Sequence, residues 1–532
     1  MRITLLASCL LLSACNILPT ISEKASEQEA QYLTILHTND NHGRFWHNEN
    51  GEYGMAARKT LIDKLRRDAA KNGHTVLLLS GGDINTGIPE SDLQKAEPDF
   101  KGMSLIGYDA MAIGNHEFDN PLSVLDKQIK WSNFPLLSAN IVHKKDGSHA
   151  YQPYTVLNRN GLNIGIVGLT TTDTAKIANP LYIGHLDFVE PASITEKVTK
   201  EIRAKHNIDV MIAVTHMGHY HDAAYGINAP GDVTLARSLK PGTLDMIIGG
   251  HSQEPICVTQ TGEADTEFTA GKVCKPDQQN GTWIMQAHEW GKYVGKAQFK
   301  IADGEKTLLS YELIPVNLKD SEGHYIQQHI EPDPALYAFL KPYQNIGEQQ
   351  LADSVGSVDT FLDGRRDTVR FKQSNLANLI IKAQMAAVGA DFGLISGGGI
   401  RHSIKAGDIT YKDVLKVHPF KNRITKVTFT GAELYAYLNI VTRFPADSGA
   451  YLQYHGISFE LNKDILSNVK VNGKQLKQDH TYTMSINSYN AAGGDGYPLL
   501  SKKDGFESSS TTDAQALKDY LEKNSPIIAE LL

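Results

Sequence analysis

Short, continuous, β-branched apolar runs recur between residues 31 and about 330, separated by stretches with helical spacing. The clearest are Leu33 to Leu36, Val76 to Leu79, Ile164 to Leu169, Val210 to Val214 and Met246 to Ile248. A run of this length without polar alternation fits a strand buried on both faces, as in an α/β sheet covered by helices. Ala56 to Ala70 and Ile194 to Lys205 supply two of the intervening helices. A solenoid is not expected, because no self-similarity recurs at a period of about 20–50 residues.

A chain of 532 residues exceeds one ordinary core and calls for at least two domains. The first is expected at 31–332. Residues 333–350, opening on Pro334-Ala335-Leu336, read as a linker helix and hinge. The second, 351–532, carries its own core segments: Leu376 to Met385, Val414 to Val417, Ile424 to Phe429 and Leu434 to Ile440. The net charge of -8, from 52 basic and 60 acidic residues, leaves no electrostatic footprint for a nucleic-acid polymer. An anionic ligand must be held by local cations.

The first residues read as a targeting segment. Arg2 is followed by the apolar stretch Ile3 to Leu12, then by Ser13, Ala14 and Cys15. The stretch is too short to span a bilayer. Leu12-Ser13-Ala14-Cys15 resembles a bacterial lipobox, which implies a signal peptide over 1–15 cleaved before Cys15, acylation of Cys15, and a tether over 16–30. Asn16 in place of aspartate resembles outer-membrane sorting. The expectation is export, with a lipid anchor in the outer membrane facing the periplasm or the cell surface. In an exported chain Cys257 and Cys274 form a disulfide, closing a loop worth about 3 kcal/mol; a pair of buried free thiols is the alternative.

Five polar clusters follow strand candidates: Asp40-Asn41-His42, Gly81-Gly82-Asp83, Gly114-Asn115-His116, Thr215-His216-Met217-Gly218-His219 and Gly249-Gly250-His251-Ser252-Gln253. In open α/β sheets ligands bind beyond the carboxyl ends of strands, where loops converge. Taken singly, each residue has an ordinary reading as a turn former or a hydrogen-bonded histidine. Together, their gaps, contexts and ligand types agree. Asp40, His42, Asp83, Asn115, His216, His251 and Gln253 are too many donors for one tetrahedral ion, so two divalent ions are expected. The oxygen and nitrogen donors suit zinc, manganese, cobalt or magnesium.

Asp40-x-His42, Gly82-Asp83, Gly114-Asn115-His116-Glu117 and Gly250-His251-Ser252 resemble the calcineurin-like metallophosphoesterase motif set. The strings His37-Thr38-Asn39-Asp40, Ser80 to Gly87 and Ala287-His288-Glu289-Trp290-Gly291-Lys292 narrow the resemblance to the bacterial periplasmic 5′-nucleotidase/UDP-sugar hydrolase family. It implies a four-layer α/β/β/α N-terminal domain joined by a linker helix to an α+β substrate-binding domain. It also implies that Asp40, His42, Asp83 and Gln253 hold one ion and that Asp83, Asn115, His216 and His251 hold the other. His116 with Asp119 would form a dyad stabilising the transition state, while Glu117 and His37 would be supporting or core residues. In the second domain the resemblance implies that Arg366, Arg370 and Arg401 contact phosphate, Phe420 and Tyr489 sandwich the base, Asn422 hydrogen-bonds it and Asp495 takes the ribose hydroxyls. Tyr489 stands where the family is expected to carry phenylalanine.

The implied activity is hydrolysis of extracellular nucleotides by a monomer. Metal-activated water attacks phosphorus in line, releasing phosphate and nucleoside from nucleoside 5′-phosphates. UDP-sugars, nucleoside di- and triphosphates and NAD are further candidate substrates. Two rivals are a 2′,3′-cyclic-nucleotide phosphodiesterase/3′-nucleotidase on the same scaffold and a non-catalytic nucleotide-binding surface lipoprotein.

Overall fold

Neighbouring residues of each apolar run face opposite layers. The computed structural model that shows this describes residues 30–220, 229–259, 264–463 and 465–528. The signal segment, Cys15 and the tether up to residue 29 lie outside the described residues. Leu33, Ile35, Leu77 and Leu79 share a core with Ile164, Ile166, Val210, Ile212, Val214, Met246 and Ile248. Leu36, Leu78 and Met111 face the other way, against the helices Met55–Lys71, Glu97–Ile106 and Leu122–Trp131. On the far side Met211, Ala213 and Ile247 meet Pro191–Lys205 and Asp232–Ser238. Two sheets thus pack face to face, each covered by helices, in four layers α/β/β/α. Burial on both faces is why the runs lack polar alternation.

The first sheet is ordered Glu305–Pro315, Tyr293–Ala302, Gln31–Thr38, Thr75–Ser80, Ala110–Ala112, Leu136–Leu137. The second is ordered Asp277–Gln279, Thr282–Met285, Met246–Ile248, Val210–His216, Leu162–Thr170, Tyr154–Arg159. Their central strands pair in parallel. The loops after these strands meet across the sandwich. A Cβ on Gly81 would sit 2.2 Å from the Gly249 carbonyl oxygen, and one on Gly250 would sit 2.5 Å from the Gly81 carbonyl oxygen. Only glycine allows the two sheets to close this tightly at their carboxyl ends. Cys257 and Cys274 are buried and form a disulfide.

The helix Pro334–Leu351 is capped by Asp333, whose carboxylate accepts the Leu336 N–H at 2.8 Å. It gives Leu336 and Leu340 to the first core and Leu351 to the next. Beyond it, a five-stranded sheet is ordered Leu452–His455, Phe392–Ser396, Thr481–Asn487, Arg423–Thr430, Phe506–Thr512. Asn375–Val388, Tyr411–Val417 and Asp513–Asn524 cover one side and Gly431–Val441 the other, an α+β unit.

Candidate metal centre and substrate cleft

Asp83 stands between two groups of donors. It lies with His42 and His116 in one, and with His216 and His251 in the other, with the donor atoms of each group within 4.8 Å of one another. His42 Nε2 is 3.7 Å from Asp40 Oδ1 and 2.8 Å from the Gln253 amide. Backbone carbonyls set both ring orientations. His42 Nδ1 donates to the carbonyls of Asn85 and Thr86 at 3.1 and 2.8 Å, and His216 Nδ1 donates to that of Gly81 at 2.7 Å. With Nδ1 engaged, each ring turns its Nε2 toward the other donors.

The donor set fits divalent cations, by an observation internal to this structure. Asp40 Oδ1, Asp83 Oδ2, Asn115 Oδ1 and His216 Nε2 are buried without hydrogen-bond partners. His216 Nε2 approaches Asp83 Oδ2 to 2.8 Å but outside hydrogen-bond geometry. Orphaned polar atoms are costly in an interior, and four at one point mark a place built for a bound group. The backbone carries the same mark. Asp40 (φ 51°), His42 (48°), Asp83 (55°), His251 (84°) and Gln253 (58°) all occupy the left-handed region that non-glycine residues avoid. Each costs on the order of 1–3 kcal/mol and persists because the surrounding fold over-determines it.

Electrostatics sort the imidazoles. Burial disfavours a charged His216, yet the Asp83 carboxylate raises it to about 10. Burial and the neighbouring His216 push His251 down to about 4, which keeps it neutral, the form that ligates. Burial also opposes charge on His116, but Asp119 and Asp83 raise it to about 9. Its Nδ1 donates to Asp119 Oδ2 at 2.6 Å, and Thr86 Oγ1 donates to the same oxygen at 2.6 Å. Glu117 ties two loops together, accepting the N–H groups of Gly114 at 2.7 Å, Ile84 at 2.9 Å and Asp83 at 3.2 Å. His37 is buried in the core beside Tyr311. Sequence reasoning missed the role of Thr86 and the span of Glu117, although Thr86 lies inside the Ser80 to Gly87 string.

The second unit reaches into this centre. The Phe420 ring lies parallel to the His116 ring, 6.2 Å between centroids and 9° between planes. Arg401 sits 5.7 Å from the Phe420 centroid. Arg366 is exposed and lies 3.4 Å from the Asp447 carboxylate, while Arg370 donates to the Asp447 carbonyl at 3.5 Å. Burial, and then the nearby Arg366 and Arg401, pull Arg370 down to about 9. The Tyr489 hydroxyl bonds Asp495. Asn422 is buried, with its carbonyl accepting the Asp513 N–H at 2.7 Å and its amide against the Asp513 carboxyl.

A two-sheet sandwich holding cation ligands between its strand ends defines a metal-dependent phosphoesterase, and residues 33–255 match the calcineurin-like phosphoesterase family. Residues 354–502 match the 5′-nucleotidase C-terminal domain. The 5′-nucleotidase of Vibrio parahaemolyticus is 52% identical over 531 residues, 98% of this chain and 95% of that one. Protein UshA of Escherichia coli is 51% identical over 512 residues, 94% and 93% of the two chains. The solved 5′-nucleotidase precursor of Thermus thermophilus superposes with a TM-score of 0.72 at 28% identity, covering 92% of this chain and 96% of its own. The chain belongs to the 5′-nucleotidase family of metal-dependent phosphoesterases.

Proposed function

We propose that this chain releases phosphate and nucleoside from nucleoside 5′-monophosphates. The observation that carries this reading is the stacking of Phe420 on His116, which puts an aromatic platform and the Arg401 cation over the phosphoester centre. Asp40, His42, Asp83 and Gln253 would hold one divalent ion, and Asp83, Asn115, His216 and His251 a second, with Asp83 common to both. When bound, such a pair polarises the phosphoryl group and makes a nucleophile of water at neutral pH.

The chain's own groups do the rest. The His116 imidazolium faces the charge that develops on phosphorus oxygens and on the leaving group. Asp119, fixed by Thr86, keeps that ring protonated and oriented. Arg366, Arg370 and Arg401 orient the phosphate. Phe420 and Tyr489 offer π-faces to the base, and Asp495 offers acceptors to sugar hydroxyls. UDP-sugars, nucleoside di- and triphosphates and NAD share the same phosphate and base handles and are further candidate substrates. One chain supplies both halves of the cleft, so a monomer suffices. Export and anchoring through Cys15 follow from the N-terminal segment, and the buried disulfide suits an oxidising compartment. Among the described residues no helix is long and apolar enough to cross a membrane.

A phosphate-release panel over AMP, 2′,3′-cyclic AMP, UDP-glucose and NAD, with several divalent ions and a His116→Ala control, tests the proposal. AMP should lead the panel. Preferential release from 2′,3′-cyclic AMP would instead favour the cyclic phosphodiesterase, and no release from any nucleotide would favour a binding protein.

A further inference from the structure

Position 489 carries a hydroxyl that phenylalanine would lack, and the structure shows where it goes. Tyr489 sits in the short helix Ser488–Ala491, whose N-cap Asn487 accepts the Asn490 N–H. Its Oη donates to Asp495 Oδ1 at 2.8 Å and accepts the Asp495 backbone N–H at 3.0 Å. Asp495 has φ 56°, inside the turn Gly493-Gly494-Asp495-Gly496. A Cβ on Gly494 would stand 2.3 Å from the Tyr489 ring, so the turn is moulded on that ring and glycine is required there. Ring and hydroxyl therefore have separate partners: the ring shapes the turn, and the hydroxyl meets the backbone and the carboxylate of Asp495 at 3.0 and 2.8 Å, with the Lys176 carbonyl farther off at 3.4 Å.

That carboxylate has a distinct chemical task. Arg370 and Arg401 are its electrostatic neighbours. A carboxylate beside a phosphate-binding arginine cluster repels phosphate, so the part of a substrate it can accept must donate hydrogen bonds. An ionised carboxylate offers about four lone-pair sites. The Tyr489 hydroxyl takes one and the Ser396 hydroxyl faces another, which leaves the rest for a ligand. The partner that fits is a pair of adjacent hydroxyls, as on a ribose.

We propose that the Tyr489 hydroxyl is a positioning group for Asp495, and that it sets selectivity for the sugar, ribose over 2′-deoxyribose, rather than for the base. The proposal rests on the nucleotide-hydrolase reading and deepens its sugar subsite.

Wild type, Tyr489→Phe, Asp495→Asn and the double variant are to be compared on AMP, 2′-deoxy-AMP, UMP and p-nitrophenyl phosphate. A hydrogen bond to a charged group is worth about 1.5–3 kcal/mol, so Tyr489→Phe should raise the KM for AMP roughly tenfold with a much smaller change in kcat. The KM for UMP should rise by the same factor, and those for 2′-deoxy-AMP and p-nitrophenyl phosphate by less than about twofold. Tyr489→Phe should add nothing to Asp495→Asn, since both act through one carboxylate. Equal KM increases for AMP and 2′-deoxy-AMP would overturn the proposal, as would unequal increases for AMP and UMP. Calorimetric binding of adenosine against 2′-deoxyadenosine reads the same split without turnover. If wild type releases no phosphate yet Tyr489→Phe abolishes this discrimination, the hydrolase reading fails while the sugar assignment stands. If wild type turns over AMP and Tyr489→Phe leaves the discrimination intact, the assignment fails alone.

Discussion

The metal centre and the substrate face of the same cleft are built on opposite terms. Asp40, His42, Asp83, Asn115 and His216 are at most 5% exposed, and backbone carbonyls fix their rings. Arg366, across the cleft, has 68% of its side chain exposed and pairs with the exposed Asp447. An ion brings no flexibility of its own, so its ligands must stand in place before it arrives, even at the cost of left-handed backbone and orphaned acceptors. A nucleotide must enter and its products leave at every turnover, so its contacts sit on loops that can part from it. Chemistry is assigned to the rigid half and choice of substrate to the adaptable half.

That division can be broken at four points. Asp83→Ala removes the one residue common to both donor groups; phosphate release should fall about 1,000-fold or more and metal content should drop, as chelation would do reversibly to the wild type. His116→Ala leaves the ligands in place; kcat should fall about 100- to 1,000-fold, with little change in KM or metal content. Glu117→Gln disturbs the brace between the Asp83 and Gly114 loops; a metal titration should show affinity weakened about 10- to 100-fold, with activity restored at high metal. Phe420→Ala removes one stacking face worth about 1–3 kcal/mol; the KM for AMP should rise about tenfold or more while metal affinity holds. A metal defect in Phe420→Ala, or none in Glu117→Gln, would blur the boundary between the halves.

Much of the rigid half was legible in the sequence. Both faces of its strands are buried, so Leu77 to Leu79 or Val210 to Val214 read as unbroken apolar runs. Polar residues directly after such runs stand out because no core needs them. Periodicity alone could not tell that the runs divide between two sheets, because a strand buried on both faces looks the same in either. Nor could it show which support residues matter. Thr86 meets Asp119 33 positions away, and Glu117 meets Ile84 at the same separation. The left-handed backbone of Gln253 leaves no trace in residue type. On the adaptable half, residue type says nothing of the long-range pairing with Asp513 that buries Asn422. The Tyr489 hydroxyl bonds Asp495, six residues on, a contact that residue type alone does not announce.

The division between the halves is tested most directly by kcat/KM on AMP relative to p-nitrophenyl phosphate in the double variant Phe420→Ala/Asp495→Ala. The expected result is a fall of about 100-fold or more on AMP, a far smaller fall on p-nitrophenyl phosphate, and unchanged metal content. Equal losses on both substrates, or loss of metal, would contradict it.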